Sequence, residues 1–213
     1  MRNDEIRTKK ILKLAETLPS FGASDLAPLG EKPTYLNIIL SRYAKRGALL
    51  HLRKNLYVTK AYLDNAEKKG VYSDYVEFIA NKIYSPSYLS LDYVLHEHNM
   101  LTDVPRNITS VALRKTDSFS NELGTFIYHK IKEELFNGFN VVKKSNFSIL
   151  KASKAKALLD FLYFRKRLLV DKDAVEELRL NMDEFSKNDF RELEGYVEKE
   201  GSSRMREIFN WLK

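Results

Sequence analysis

The chain has 213 residues, 44% of them hydrophobic, with 36 Lys+Arg against 29 Asp+Glu and no cysteine. That length suits one large domain or two modest ones, and the apolar content supports a packed core rather than a disordered tail. The missing cysteine excludes disulfides, thiolate zinc sites and thiol nucleophiles, and no stretch has the apolar length of a transmembrane helix. With no signal-peptide pattern behind Met1–Glu5, the expectation is a cytoplasmic protein with no membrane partner. The net charge of +7 is uneven. Up to Lys60 there are 12 Lys+Arg and 5 Asp+Glu; from Ala61 onward there are 24 of each. Such asymmetry points to a polyanion partner for the first segment.

Residues 4–18 carry apolar positions at Ile11, Leu14, Ala15 and Leu18, a helical stripe closed by Pro19, Ser20 and Gly22. Ser24 is placed to cap a very short second helix. Pro33 suits the first position of a third, which runs to about Lys45 and stops at Gly47. On that third helix Leu36, Ile39, Leu40 and Tyr43 form one stripe. Thr34, Ile38, Ser41, Arg42 and Lys45 point away from it, with Asn37 on the flank. No acid occurs between Lys32 and Tyr62, where an ordinary solvated helix would mix Glu with Lys. Beyond Gly47 the period changes to two through Leu50, Leu52, Leu56 and Val58. Arg53-Lys54-Asn55 forms a tight turn, with Asn55 able to take a positive φ.

Helix, short helix, helix and basic hairpin are the order of a winged helix-turn-helix, expected over residues 1–65. The third helix would enter a major groove and the hairpin would lie beside the backbone. Thr34, Asn37, Ser41 and Arg42 are the expected base contacts. Lys32, Lys45, Arg46, Arg53 and Lys54 are the expected phosphate contacts. Half-site recognition would imply two copies on an inverted repeat of double-stranded DNA. The same module could instead bind protein, or be a helical domain with a plain basic surface.

A boundary is expected near Asp64 to Val71, after a charged linker helix or loop at Ala61–Lys69, with a second domain over residues 70–213. Ser73 is placed to cap a helix through Tyr84. Ser85-Pro86-Ser87 interrupts the chain, and a further helix is expected from Ser90. Strands follow at Ile108–Arg114 and Gly124–His129, with a loop around Asp117–Asn121 between them, then at Phe136–Val142 and Phe147–Leu150. Helices are expected at 152–165, 171–182 and 187–200, with a last one around Ile208. The overall class is α+β: a winged helix-turn-helix plus a mixed α/β domain with a small, mostly antiparallel sheet and C-terminal helices.

Catalytic signals are sparse. The histidines are His51, His96, His98 and His129. His96 and His98 face different ways on a helix, and Asp92 with His96 lacks a third ligand, so no metal is expected. Serine, P-loop and dinucleotide motifs are missing, and no cofactor is expected. Asp117 and Asp160 read as single carboxylates, and the serines of Ser85–Ser90 as helix caps. The tyrosines read as packing residues. No enzymatic activity is expected, and a nuclease carried by the winged helix lacks a catalytic set. Lys143, Lys144, Arg165, Lys166 and Arg167 make two basic clusters in the neutral segment, either solvated surface or a second basic face.

Several ordered motifs resemble one family. Tyr84-Ser85-Pro86-Ser87-Tyr88-Leu89-Ser90-Leu91, Ile108-Thr109-Ser110-Val111 with Arg114-Lys115-Thr116, and Leu123–Ile131 resemble segments of AbiE-type antitoxins of bacterial type IV toxin–antitoxin systems. Lys156-Ala157-Leu158-Leu159-Asp160-Phe161-Leu162-Tyr163 resembles the end of a further family helix, although Lys154-Ala155 stands where the family has Pro-Glu. Leu40–Leu49 and Asn55-Leu56-Tyr57-Val58 resemble the third helix and wing. The resemblance spans about Ser24 to Arg167. It implies abortive-infection function: an antitoxin that binds operator DNA, represses its own operon and neutralises a nucleotidyltransferase-like toxin, generally without binding it stably. On that reading the two basic clusters could form an antitoxin face. The alternative is a winged-helix transcription regulator whose second domain senses a ligand or protein partner.

Overall fold

The computed structural model describes the backbone of residues 2–213 and the side chains of residues 6–213. The chain divides into two compact units, residues 1–79 with 121–123, and residues 80–120 with 124–213. The division falls inside a helix, and the stretch 60–71 belongs wholly to the first unit.

The first unit begins with α1 (Arg2–Ala15), a 3-10 turn (Ala23–Leu29) and α2 (Pro33–Lys45). Ile11 and Ala15 of α1 meet Leu26 of the turn and Leu36, Ile39 and Leu40 of α2 in one buried cluster with Phe21 and Leu49. The turn is capped by Gly22 and Asp25 rather than by Ser24. The Gly22 N–H donates to Asp25 Oδ2 at 2.7 Å. Pro33 opens α2 as expected. Strands β1 (Leu49–Arg53) and β2 (Leu56–Thr59) pair antiparallel, with Lys54 and Asn55 as the turn and Asn55 at φ 60°. Thr59 then caps α3 (Lys60–Lys68) by accepting from Tyr62 N at 3.1 Å. The first part of α4 (Tyr72–Ile83) contributes Tyr75, whose hydroxyl donates to the Pro19 carbonyl at 2.7 Å.

The second unit is built on β3 (Ser87–Leu89), α5 (Leu91–Glu97), β4 (Ile108–Ala112), β5 (Asp117–Asn121, all but its last residue), β6 (Gly124–Lys130), β7 (Phe139–Lys144) and β8 (Phe147–Ala152). They give a six-stranded sheet in the order β5-β6-β4-β3-β8-β7. A small, mostly antiparallel sheet was expected; this one is mixed. β3 with β4 and β7 with β8 are antiparallel, whereas β4 with β6 and β3 with β8 are parallel. The parallel partners are not consecutive in sequence: other elements intervene and bring the chain back in the same direction. Asp117–Asn121, expected as a loop, is a strand. Ser87–Leu89, expected as an interruption before a helix from Ser90, is a central strand.

The helices α6 (Lys154–Arg165), α7 (Lys172–Glu176), α8 (Lys187–Glu200) and α9 (Ser203–Trp211) follow. α6 is buried from Ala155 to Leu162 and packs against α5, α8, α9 and β8. Among the described residues no helix is long and apolar enough to cross a membrane.

Inside α6 lies a buried ion pair. Lys156 and Asp160, both 0% exposed, meet at 2.5 Å. Asp160 also accepts from the Tyr88 hydroxyl at 3.0 Å and from Ser90 Oγ at 2.8 Å. Asp160 is thus the centre of a network and not a lone carboxylate. Ser90 does not cap α5; Thr109 does, accepting from Tyr93 N at 3.2 Å. Burial pushes the Asp160 carboxyl up and the Lys156 ammonium down, while the pair and the hydroxyl donors oppose this.

Removing one member of such a pair leaves an uncompensated buried charge, at a cost of about 3–5 kcal/mol. Asp160→Ala is therefore expected to lower unfolding free energy in urea by about that much. Glu176→Gln, breaking the exposed Lys172–Glu176 pair, should cost under about 1 kcal/mol.

Candidate nucleic-acid interface

Burying Leu36, Ile39 and Leu40 of α2 turns the opposite face of the helix outward. Thr34, Asn37, Ile38, Ser41, Arg42 and Lys45 are all exposed, with Lys32 at the N-cap and Arg46 at the C-cap. Asn37, Ile38, Ser41, Arg42, Lys45 and Arg46 line a shallow depression of about 540 Å³. The structure thus brings together five of the expected contacts: Asn37, Ser41, Arg42, Lys45 and Arg46. Lys32 and Thr34 lie toward the N-terminal end of α2, and Arg53 and Lys54 lie on the hairpin; none of these four lines the depression.

A second depression, about 490 Å³, lies between α1 and α2. Thr8, Lys9, Tyr35, Ile38, Arg42 and Arg46 line it. Lys9 is exposed and adds a cation that sequence reasoning did not select. The overlooked signal was its place on the basic run of α1, Lys9-Lys10-Ile11-Leu12-Lys13, next to a helix whose outward face was already assigned.

The hairpin is held by a one-residue bridge. Phe21 N donates to the Tyr57 carbonyl at 2.9 Å, and Tyr57 N donates to the Phe21 carbonyl at 2.8 Å. Next to it, a Cβ on Gly22 would stand 2.5 Å from the Asn55 carbonyl oxygen. This close approach fixes the turn that displays Lys54. Lys54 is exposed, whereas Arg53 is half-buried and its Nε is buried without a hydrogen bond among the described residues. Chemically, the surface offers guanidinium and ammonium donors, an amide and hydroxyls, with no carboxylate on α2 or the hairpin. Such a set matches phosphate oxygens and base edges.

The two basic clusters of the second unit lie at the end of β7 and the end of α6, and most of their charge is matched. Lys144 pairs with Glu97 at 2.9 Å, Arg165 with Asp92 at 3.0 Å, and Lys166 with Glu200 at 2.6 Å. Arg165 also lies 3.7 Å from the centroid of the Phe161 ring. Lys143 and Arg167 are exposed. Asp92 spends its carboxylate on Arg165, and His96 Nδ1 lies 3.2 Å from the Leu101 carbonyl. Among the described residues, no group of three or more His, Asp or Glu could hold a metal ion.

Burial alone would raise the Glu97 carboxyl, but hydrogen bonds from Lys151 at 2.6 Å and Lys144 at 2.9 Å outweigh it and hold it below the usual glutamate range. No protein-family model matches the chain, and no curated protein matches it.

Two outcomes follow from this geometry. Gly22→Ala must displace the Asn55 carbonyl and should cost about 1–3 kcal/mol in thermal unfolding, whereas Asn55→Gly, which keeps the positive φ, should be near neutral. A carboxyl held low contributes stability above its unfolded value, and that stability is lost as pH falls through its folded value. The stability difference between the wild type and Glu97→Gln, followed by thermal unfolding, should therefore be full at pH 6 and close on acidification below about 4.

Proposed function

We propose that the first unit contains a winged helix-turn-helix that binds duplex DNA, and that the whole chain is a non-enzymatic antitoxin of the AbiE type. In this reading it represses its own operon and neutralises a nucleotidyltransferase-like toxin. The observation that carries the DNA part is the outward face of α2, exposed along its length and free of acid, beside a hairpin that displays Lys54. The order α1, 3-10 turn, α2, β1, β2 supports the winged-helix reading. α2 would enter the major groove through Thr34, Asn37, Ser41 and Arg42. Lys32, Lys45, Arg46, Arg53 and Lys54 would meet phosphates, and Lys9 joins them.

The antitoxin part rests on the ordered motifs between Ser24 and Arg167. Lys143 and Arg167 are the exposed cations that a basic antitoxin face would have to use.

Duplex DNA from the region upstream of the chain's own gene is the probe. Arg42→Ala and Lys54→Ala should each weaken binding, and each lost phosphate contact should reduce the salt slope of log K by about 0.9. Unchanged binding by both variants would overturn the contact assignment. Co-expression with an adjacent nucleotidyltransferase-like gene product should restore growth of arrested cells. DNA binding without rescue would leave a plain transcription regulator.

A further inference from the structure

α2 carries one apolar side chain where packing gives it no reason to be. Leu36, Ile39 and Leu40 are at most 4% exposed, whereas Ile38 is 57% exposed. A β-branched residue on a solvated helix face gains nothing in helix propensity and leaves its hydrocarbon in water. Ile38 stands on the ridge between the two depressions of the first unit. Both are lined by Ile38, Arg42 and Arg46; Asn37, Ser41 and Lys45 complete one, and Thr8, Lys9 and Tyr35 belong to the other. The isoleucine is therefore the apolar tip of a polar, cationic face.

A second copy of the chain and a DNA duplex differ in how they would meet it. A second copy of the chain would bring Lys9, Arg42, Lys45 and Arg46 against their own counterparts across a two-fold axis, which like charge opposes. A duplex major groove meets the same cations with phosphates. Within that groove the base edges present donors and acceptors, with one apolar group among them, the C5-methyl of thymine.

We propose that Ile38 is a specificity-determining residue that reads a thymine through its C5-methyl, next to the base edges addressed by Asn37, Ser41 and Arg42. This rests on the duplex-DNA reading given above. Ile38 adds discrimination that the hydrogen-bonding side chains do not supply, because deoxyuridine offers them the same O4 acceptor as thymidine.

The test uses the full chain and a selection from a randomised duplex pool. In the enriched duplex each dT is replaced in turn by dU, which keeps base pairing and deletes the methyl, and binding is followed by fluorescence anisotropy at fixed salt. For the wild type, one such replacement per half-site should weaken binding about fourfold, the equilibrium factor for one buried methyl group. Ile38→Ala should bind the dT and dU duplexes equally at that position, and Ile38→Leu should keep part of the preference. Because Ile38 lies outside the core, both variants should keep the wild-type circular dichroism and melting profile. A methyl effect equally large in Ile38→Ala, or absent from the wild type at every position, would overturn this assignment while leaving DNA binding intact. Failure to enrich any duplex would overturn the DNA-binding reading and this inference with it.

Discussion

A carboxylate enclosed in the second unit organises much of what surrounds it. Asp160 is shut off from bulk solvent, so the protein must supply donors to its oxygens from several elements at once. Lys156 comes from the preceding turn of the same helix, Tyr88 from the centre of the sheet, and Ser90 from the bend into α5. Satisfying one charge therefore locks α6 to β3 and fixes where α5 starts. Leu158, Leu159 and Leu162 of α6 are buried beside it, but apolar packing is non-directional and tolerates sliding, whereas directed hydrogen bonds to a buried charge do not. Gly138 belongs to the same arrangement. A side chain there would collide with Tyr196 and with Lys156 Cγ.

The first unit is governed by a different constraint. Its core is small, and α2 contributes Leu36, Ile39 and Leu40 to it. Fixing that stripe leaves the rotation of α2 no freedom, so every outward position is determined. The acid-free run becomes a surface because the core demands it. The Phe21–Tyr57 bridge and the Gly22–Asn55 approach do the same for the hairpin, whose turn would otherwise be a mobile two-residue loop.

How much of this was legible in the sequence varies by element. α2 was clear because Pro33 marks its start, Gly47 follows its end and a 3.6 period lies between. The hairpin was clear because the period changed to two and Asn55 could accept φ 60°. β3 was not clear: it has three residues, too few for alternation, and Tyr88-Leu89 followed by Leu91 fits a helix stripe equally well. β5, Asp-Ser-Phe-Ser-Asn, has strand alternation but little apolar content, consistent with its place at the sheet edge. The network around Asp160 joins positions about seventy residues apart, and no local pattern encodes such a meeting. Its only local trace was Lys156 four residues before Asp160, a spacing more often seen on solvated helices.

The short central strand β3 also bears on how the chain folds as it is made. One of its neighbours, β8, ends at Ala152, and the helix that anchors it ends at Arg165. Until the ribosome has released those residues, β3 has one sheet partner, β4, and Tyr88 and Ser90 have no carboxylate to meet. The buried cluster of the first unit, by contrast, is complete once Leu49 has been made. Local contacts close sooner than distant ones. The helix that displays the cationic face can therefore be shaped early in synthesis, while the sheet of the second unit waits for its later strands.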